Sequence, residues 1–269
     1  MSDQKSVFQA LAELELQNQA GAYCLVVRSR GSTPRHTGSK MLVYPDGSIV
    51  GTVGGGELEN RVIQEALDAI ADGQARILEY SMADPERGDP GVCGGQVEVY
   101  VEPVIPRPTL VVIGAGHVGK AVAHLAHWLG FYVVVNDDRA EFCTPEAVPD
   151  ADQYIPCSMS QLHEKLEITQ WTYLVLTTRG VNVDVLGLPV LLVTPAAYIG
   201  VIGSQRRWTT ARKQLLEAGV PNETLDRVHS PIGLELNAET PEEIAVSIMA
   251  EILMVRNAAD GQPMKRNTG

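Results

Sequence analysis

Two hydrophobic periods divide the first part of the chain into helices and strands. Apolar residues at helical spacing predict one helix over 6–18 and a second over 57–72, which Gly73 would end. Pro45-Asp46-Gly47 is typical of a hairpin turn between two short apolar runs. Runs of this kind predict five strands, over 23–28, 40–44, 48–53, 75–80 and 96–102. This part of the chain therefore predicts an α/β domain.

The pattern changes after residue 108, where near-continuous apolar runs alternate with helical segments. Runs over 109–113, 131–135 and 173–177 suit parallel strands that are buried on both faces of a sheet. The capping box Thr240-Pro241-Glu242-Glu243 predicts the start of a last helix. Alternating strands and helices predict a Rossmann-like fold with a doubly wound parallel sheet.

Three prolines separate the two patterns. Pro103, Pro106 and Pro108 make a stiff segment that we expect not to join a central strand. We therefore predict three parts, which are an N-terminal α/β domain over 1–103, a proline-rich linker over 104–108 and a Rossmann-like domain with a C-terminal helix over 109–269.

The segment 114–119 has the form G-x-G-x-x-G and lies between an apolar run and a helical pattern. Glycines at this spacing allow a tight turn and let backbone N–H groups approach a pyrophosphate. An acid about twenty residues further on is placed to bind a ribose 2′-hydroxyl. The pattern predicts a dinucleotide-type site, and the alternative is a turn that only packs a helix on a sheet. The candidate residues are Gly114, Gly116, His117, Gly119 and Asp137.

Three other loops carry residues that suit an anionic ligand. The first combines hydroxyls and cations, the second has three consecutive glycines before a helix, and the third follows a strand-like run at the sheet edge where α/β folds bind ligands. The alternative for the first loop is a solvated surface loop, for the second a backbone that needs positive φ, and for the third a pair of arginines that cap a helix. The candidate contacts are Ser32, Thr33, Arg35 and Lys40, then Gly54, Gly55 and Gly56, then Gly203, Ser204 and Arg206.

Charge and cysteine usage exclude several classes of protein. The formal net charge is −12, which disfavours nucleic acid as a partner. None of the four cysteines forms a C-x-x-C pair, so a zinc site is not expected. The N-terminal residues lack the apolar core of a signal peptide, and the apolar runs are too short to span a membrane. We therefore expect a cytoplasmic protein without a membrane partner.

Cys93 is followed by Gly94 and Gly95, which leave its thiol sterically open. A sulfur-handling or metal-contacting residue needs such access, although free cysteine is also among the most buried residue types and a core position is favoured from the residues alone. The sequence shows no Ser/His/Asp set, no H-E-x-x-H motif and no carboxylate pair with acid–base spacing. The chain therefore indicates binding more clearly than catalysis.

Together these segments resemble the xanthine dehydrogenase accessory factor family, the XdhC-like proteins. The resemblance runs from about residue 21 to residue 255 and keeps the motifs in order. The matching segments of the first domain are Gly31-Ser-Thr-Pro-Arg35 with 38–41, Gly51-Thr-Val-Gly-Gly-Gly56 with Glu59, and Cys93-Gly94-Gly95. Those of the second domain are 114–119, Asp137-Asp138-Arg139, 198–204, Ser230-Pro-Ile-Gly-Leu234 and Ala238-Glu-Thr-Pro-Glu-Glu243.

The resemblance implies a homodimeric carrier of molybdenum cofactor (molybdopterin), a pterin with a dithiolene and a phosphate. Such a carrier would hold the cofactor for sulfuration by a cysteine desulfurase and deliver it to the apo-enzyme of a xanthine dehydrogenase-type molybdenum hydroxylase. The resemblance makes the glycine-rich loops candidate phosphate and pterin contacts, and Cys93 the candidate thiol near the metal. The alternative is an NAD-dependent oxidoreductase that uses the Rossmann site, where Asp137 would favour NAD over NADP. Another nucleotide could also occupy that site.

The chain departs from the family pattern at three places. Glu57 follows the triple glycine where many relatives have cysteine, and Val181 stands where many have histidine. Gly187-Leu188-Pro189 is expected to interrupt the helix that follows, because proline breaks helix interiors. The absence of that histidine argues against a catalytic step in the second domain, so a carrier is favoured over an enzyme.

Overall fold

The structure is a computed structural model that describes residues 6–33, 35–81 and 94–265. The chain divides into two compact units, Met1–Pro106 and Arg107–Gly269, and the division falls inside the proline-rich segment 104–108. Within the described residues, every helix is too short or too polar to cross a membrane.

The described residues of the first unit form one antiparallel sheet of five strands and two helices. Its elements are α1 (Val7–Leu16), β1 (Gly21–Arg30), β2 (Lys40–Val43), β3 (Ile49–Gly51), α2 (Gly56–Asp72), β4 (Arg76–Ser81) and β5 (Gln96–Val104). The strand order is β3-β2-β1-β5-β4. Helix α2 packs against β1 and β5 through a buried stripe that includes Leu58, Val62 and Ala66. Gly73 ends α2 in the left-handed conformation, as predicted.

Pro103 corrects one expectation for this unit. It lies inside β5, opposite Ala22 of β1, so the stiff segment that we expected not to join a central strand begins within one. Strand β4 pairs with β5 only as far as Val101, so Pro103 sits where the strand has a partner on one side. A missing N–H is tolerated at such a position, because no second ladder needs it.

In the second unit, residues 107–265 form a parallel sheet of six strands in the order β11-β10-β9-β6-β7-β8. Its strands are β6 (Thr109–Ile113), β7 (Tyr132–Asn136), β8 (Gln153–Ile155), β9 (Thr172–Leu176), β10 (Tyr198–Val201) and β11 (Val228–His229). Its helices are α3 (His117–Trp128), α4 (Val181–Leu192), α5 (Gln205–Glu217), α6 (Asn222–Leu225) and α7 (Pro241–Arg256). Within this unit the chain begins at the central strand β6, runs outward through β7 and β8, and then returns to the other side of β6 for β9, β10 and β11. This doubly wound topology confirms the predicted Rossmann-like fold.

Two apolar cores lie on opposite faces of this sheet because successive strand residues point to opposite sides. Leu110 and Val112 belong to the core that includes residues of α3 and α7, whereas Val111 and Ile113 belong to the core that includes residues of α4 and α5. Layers on both faces explain the near-continuous apolar runs of the strands. The capping box of α7 is present between Thr240 and Glu243, as predicted.

Helix α4 corrects the expected interruption at 187–189. The helix runs without a break from Val181 to Leu192, with Pro189 in its interior. A Cβ atom on Gly187 would lie 2.2 Å from Met159 Cε, so glycine is required there for close packing against the segment after β8. Buried residues on both sides of the proline, including Leu188 and Leu191, hold the helix in place.

Candidate functional site

The glycine turn between β6 and α3 has a different role at each of its glycines. Gly114 has φ +106°, and a Cβ there would lie 2.7 Å from the Thr177 carbonyl oxygen. A Cβ on Gly119 would lie 2.1 Å from the Gly114 carbonyl oxygen, so this glycine lets the helix approach the turn. Gly116 has nothing within 4 Å of the same position. The protein itself therefore needs Gly114 and Gly119, whereas Gly116 leaves open space above the turn.

A cleft of about 340 Å³ lies at the carboxyl edge of the parallel sheet, beside this turn. Its walls come from the ends of β6, β7 and β9, the residues after β8 and the first half of α4. This is the edge and the topological switch point where open α/β folds bind ligands. The apolar lining residues are Ile113, Met159, Val183 and Leu186, and hydroxyls come from Ser158, Ser160, Thr177 and Thr178.

Asp137 lines the cleft, but its carboxylate already has protein partners. Oδ2 accepts the Ala115 N–H at 2.9 Å, and Arg139 donates to both oxygens, each at 2.9 Å. Burial alone would raise the pKa of the Asp137 carboxyl, but the bonds from Arg139 and Ala115 outweigh it and hold that pKa below its usual value. The carboxylate that we expected to contact a ribose 2′-hydroxyl thus has partners within the protein. His117 is the exposed first residue of α3.

A second Asp–Arg ion pair lies at the cleft. Arg179 Nη2 donates to Asp138 Oδ2 at 2.6 Å, and both residues line the cleft. Asp138 follows β7 and Arg179 follows β9, the two strands that flank β6. Neither residue stood out from the sequence as a ligand contact. The available signal was the position of Arg179 directly before Gly180, the N-cap residue of α4, because helix N-termini attract anions.

The loop 203–206 is explained by internal packing. A Cβ on Gly203 would lie 2.6 Å from Arg207 Cδ, so the glycine makes room for that side chain, and Ser204 accepts the Arg207 N–H as the cap of α5. Arg207 donates to the fully buried Asp184 at 2.7 Å. Arg206 is exposed on the first turn. Gly203 and Ser204 therefore each have a role in the fold, and the arginine that pairs with the buried Asp184 is Arg207.

The triple glycine of the first unit is also organised around a protein group. The Glu59 carboxylate accepts the Val53 N–H at 3.1 Å, the Gly55 N–H at 3.3 Å and the Thr52 hydroxyl. Gly54 donates instead to the Thr52 hydroxyl at 3.1 Å. The Glu59 carboxylate thus accepts the N–H of Gly55, and the Thr52 hydroxyl accepts that of Gly54, so both predicted donors have partners within the protein. Gly56, with φ +62°, is the first residue of α2.

The loop after β1 brings two predicted motifs together. Backbone of the 31–33 segment packs on Gly95, where a Cβ would lie 2.3 Å from the Ser32 carbonyl oxygen and 2.6 Å from Thr33 Cγ2. The Thr33 hydroxyl donates to the Arg35 carbonyl, and Arg35 is exposed. Lys40 lies apart from them at the start of β2, with Nζ 5.2 Å from the Phe8 ring centre. Cys93, which precedes the two glycines, lies outside the described residues.

The described residues contain no group of three or more side chains that could hold a metal ion. Cys24, Cys143 and Cys157 are buried free thiols, and burial raises the pKa of each. They are therefore unsuited to nucleophilic or metal-binding roles as they stand.

Two family profiles match the chain. The XdhC Rossmann domain matches residues 110–252, which is more than half of the chain, and the XdhC and CoxI family matches residues 14–81. A crystal structure of a xanthine dehydrogenase from Bacillus halodurans has the same fold, with a TM-score of 0.51 and 22% identity over 98% of each chain.

Three curated relatives are similar in sequence. The Escherichia coli protein named "Uncharacterized protein YqeB" is 40% identical over 97% of this chain and 48% of its own length. A Bacillus subtilis protein, described as a probable component of xanthine dehydrogenase, is 34% identical over 59% of this chain and 46% of its own length. The Escherichia coli molybdenum cofactor insertion chaperone PaoD is 24% identical over 94% of this chain and 89% of its own length.

The matched region spans about half the length of the first two relatives. The family motifs lie in both units, and the Rossmann profile covers β6, the glycine turn and the cleft residues. The chain belongs to the XdhC-like family.

Proposed function

We propose that this chain binds molybdenum cofactor as its cargo, holds it for sulfuration by a cysteine desulfurase and delivers it to a xanthine dehydrogenase-type molybdenum hydroxylase. Its membership of the XdhC family and the name of its relative PaoD support a role in cofactor insertion. The observation that carries the proposal is the open space over Gly116 at the mouth of a cleft with apolar walls.

The residues of the cleft suit a flat ring that carries a phosphate. The apolar side chains of Met159, Val183 and Leu186 can pack against a ring. Gly116 precedes α3 without a side-chain cap, so the first N–H groups of the helix remain available to an anion. Cys93 stays our proposed thiol near the molybdenum or the transferable sulfur.

The cleft suits a carrier better than an enzyme. Asp137, the buried carboxylate of its lining, accepts hydrogen bonds from Arg139 and from the Ala115 N–H, so it is not available as a general base. An NAD-dependent oxidoreductase is disfavoured because both oxygens of Asp137 already accept protein hydrogen bonds. A homodimer that acts in the cytoplasm is part of the proposal, and sedimentation analysis of the purified protein would test the dimer.

The proposal predicts that Gly116→Val abolishes binding of molybdenum cofactor while the protein stays folded. A side chain at residue 116 would meet only the space that the ligand needs, and loss of a glycine cap costs no more than about 1 kcal/mol. Anaerobic calorimetric titration would measure cofactor binding, and circular dichroism would measure folding.

Gly119→Ala is the matched control, because its new Cβ clashes with the Gly114 carbonyl and should destabilise the fold. Unchanged cofactor affinity in a folded Gly116→Val protein would exclude the cleft as the binding site.

Separately, Cys93→Ser should weaken cofactor retention or prevent its sulfuration. Full reconstitution of hydroxylase activity by that variant would exclude a role for the thiol.

A further inference from the structure

We infer that Arg179 is the phosphate-binding side chain of the cleft and that the Asp138 carboxylate occupies the Arg179 guanidinium until a ligand binds. This inference rests on the proposed function, because it assumes a phosphate-bearing ligand at the Rossmann cleft. The ligand phosphate would replace the Asp138 carboxylate on the Arg179 guanidinium. No bond is formed or broken other than these ionic hydrogen bonds.

Three Asp–Arg pairs at or beside the cleft differ in how firmly they are held. The side chains of Asp137 and Asp184 are 2% and 0% exposed, and each carboxylate has further hydrogen-bond partners. Asp138 and Arg179 are 47% and 52% exposed and share one hydrogen bond. An exposed ion pair contributes little net free energy, so this pair opens at the lowest cost of the three.

The position of the pair fits an exchange with phosphate. Arg179 and Asp138 extend from loops on either side of β6, whose end leads into the glycine turn. Gly180 follows Arg179 and is the N-cap residue of α4, and like Gly116 before α3 it provides no side-chain cap. A guanidinium can bind two oxygens of a phosphate in a bidentate manner, and a phosphate carries more negative charge than the carboxylate that it would displace.

A double-mutant cycle with inorganic pyrophosphate as the probe tests this inference on the full chain. Arg179→Ala should weaken pyrophosphate binding about tenfold or more, because a charge-assisted hydrogen-bond pair is lost. Asp138→Asn should tighten binding about threefold to tenfold, because the competing carboxylate is removed. In the Arg179→Ala background, Asp138→Asn should change the affinity by less than about twofold.

Glu141→Gln is the matched charge control, since Glu141 is an exposed acid three residues after Asp138. It should change pyrophosphate affinity by less than about twofold. Equal gains from Asp138→Asn with and without Arg179 would show a general field effect and overturn the inference. Wild-type pyrophosphate affinity in Arg179→Ala would also overturn the inference. If Gly116→Val nevertheless lost cofactor binding, the proposed function would stand without it. A wild-type protein that binds neither pyrophosphate nor molybdenum cofactor would overturn both.

Discussion

Arg206 and Arg207 are neighbours in sequence with opposite surroundings. Arg206 is exposed, whereas Arg207 donates to the Asp184 carboxylate and to the Thr178 carbonyl and hydroxyl. Asp184 is fully buried, so its charge depends on this arginine and on the Thr178 hydroxyl for compensation. These contacts join the start of α4, the residue after β9 and the start of α5. They thereby fix the position of α4, which forms one wall of the cleft.

Arg207→Ala should therefore lower the free energy of unfolding by about 3–5 kcal/mol, because it leaves a buried carboxylate without its cation. Arg206→Ala, the matched control, should change it by less than about 0.5 kcal/mol. Urea unfolding followed by circular dichroism measures both. Similar small losses in the two variants would show that the buried pair contributes little to stability.

Glu251 of α7 ties the helix to the last strands of the parallel sheet. Its carboxylate accepts the Tyr198 hydroxyl at 2.5 Å and the Gly233 N–H at 2.8 Å, and Oε1 lies 3.2 Å from His229 Nδ1. Burial would raise the pKa of Glu251, but the bonds from His229, Tyr198 and Gly233 outweigh it and lower that pKa. Burial also raises the pKa of Tyr198, which stays protonated as a donor.

A carboxyl whose folded pKa is lowered stabilises the fold above its unfolded pKa and loses that effect as the pH falls through the folded pKa. Glu251→Gln should therefore cost about 1–2 kcal/mol at neutral pH. The difference from wild type should shrink as the pH falls below the ordinary value of 4.5. Urea unfolding across this pH range measures the difference, and one that stays constant with pH would contradict the argument.

Single residues were predictable from sequence where one local requirement decides their role. The G-x-G-x-x-G spacing correctly predicted a tight turn, in which Gly114 has φ +106°. The close packing of Gly119 on the Gly114 carbonyl followed only from the alternative to a ligand-binding turn, one that packs a helix on a sheet. The triple glycine was not predictable in the same way, because Glu59 is an ordinary helix residue in sequence and only the folded turn brings its carboxylate to the backbone N–H groups.

Among the elements, α4 combines a cleft wall with a helix that its own sequence disfavours. Pro189 has no N–H, so the carbonyl of Val185 cannot receive the usual helical hydrogen bond from residue 189. Burial of Leu188, Leu191 and Leu192 overrides this local cost. Tertiary packing thus decides the state of a segment whose local pattern predicts a break.

Pro189→Ala should raise the free energy of unfolding by about 1–3 kcal/mol, because it restores the helical donor and removes the ring. Thermal and urea unfolding measure the change. A loss of stability would mean that the half-buried proline ring makes packing contacts that alanine cannot replace.

Most strands and helices of both units follow from hydrophobic period and capping residues. Two predictions were wrong, the exclusion of Pro103 from a central strand and the helix break at 187–189. Both took proline as a local signal that ends a strand or a helix. Strand β5 accepts Pro103 beyond the last residue that β4 pairs with, and α4 accepts Pro189 because its core residues are buried. The pairing of β1 with β5 joins residues far apart in sequence, and no local pattern encodes it.

At the scale of the whole molecule, the two compact units carry the family motifs in sequence order. The doubly wound sheet was predictable because alternating strands and helices, with the glycine turn after the central strand, leave few topologies. The ligand was not predictable from the fold, since the same sheet supports many functions. The filled hydrogen-bonding capacity of Asp137 and the family membership together favour a cofactor carrier over an NAD enzyme.

The most direct test of this account is anaerobic calorimetric titration of the wild-type protein with molybdenum cofactor and, separately, with NADH. We expect stoichiometric binding of molybdenum cofactor and no measurable binding of NADH, because each oxygen of the Asp137 carboxylate already accepts two hydrogen bonds from the protein. Tight binding of NADH without binding of molybdenum cofactor would contradict the account and identify a nucleotide-dependent enzyme instead.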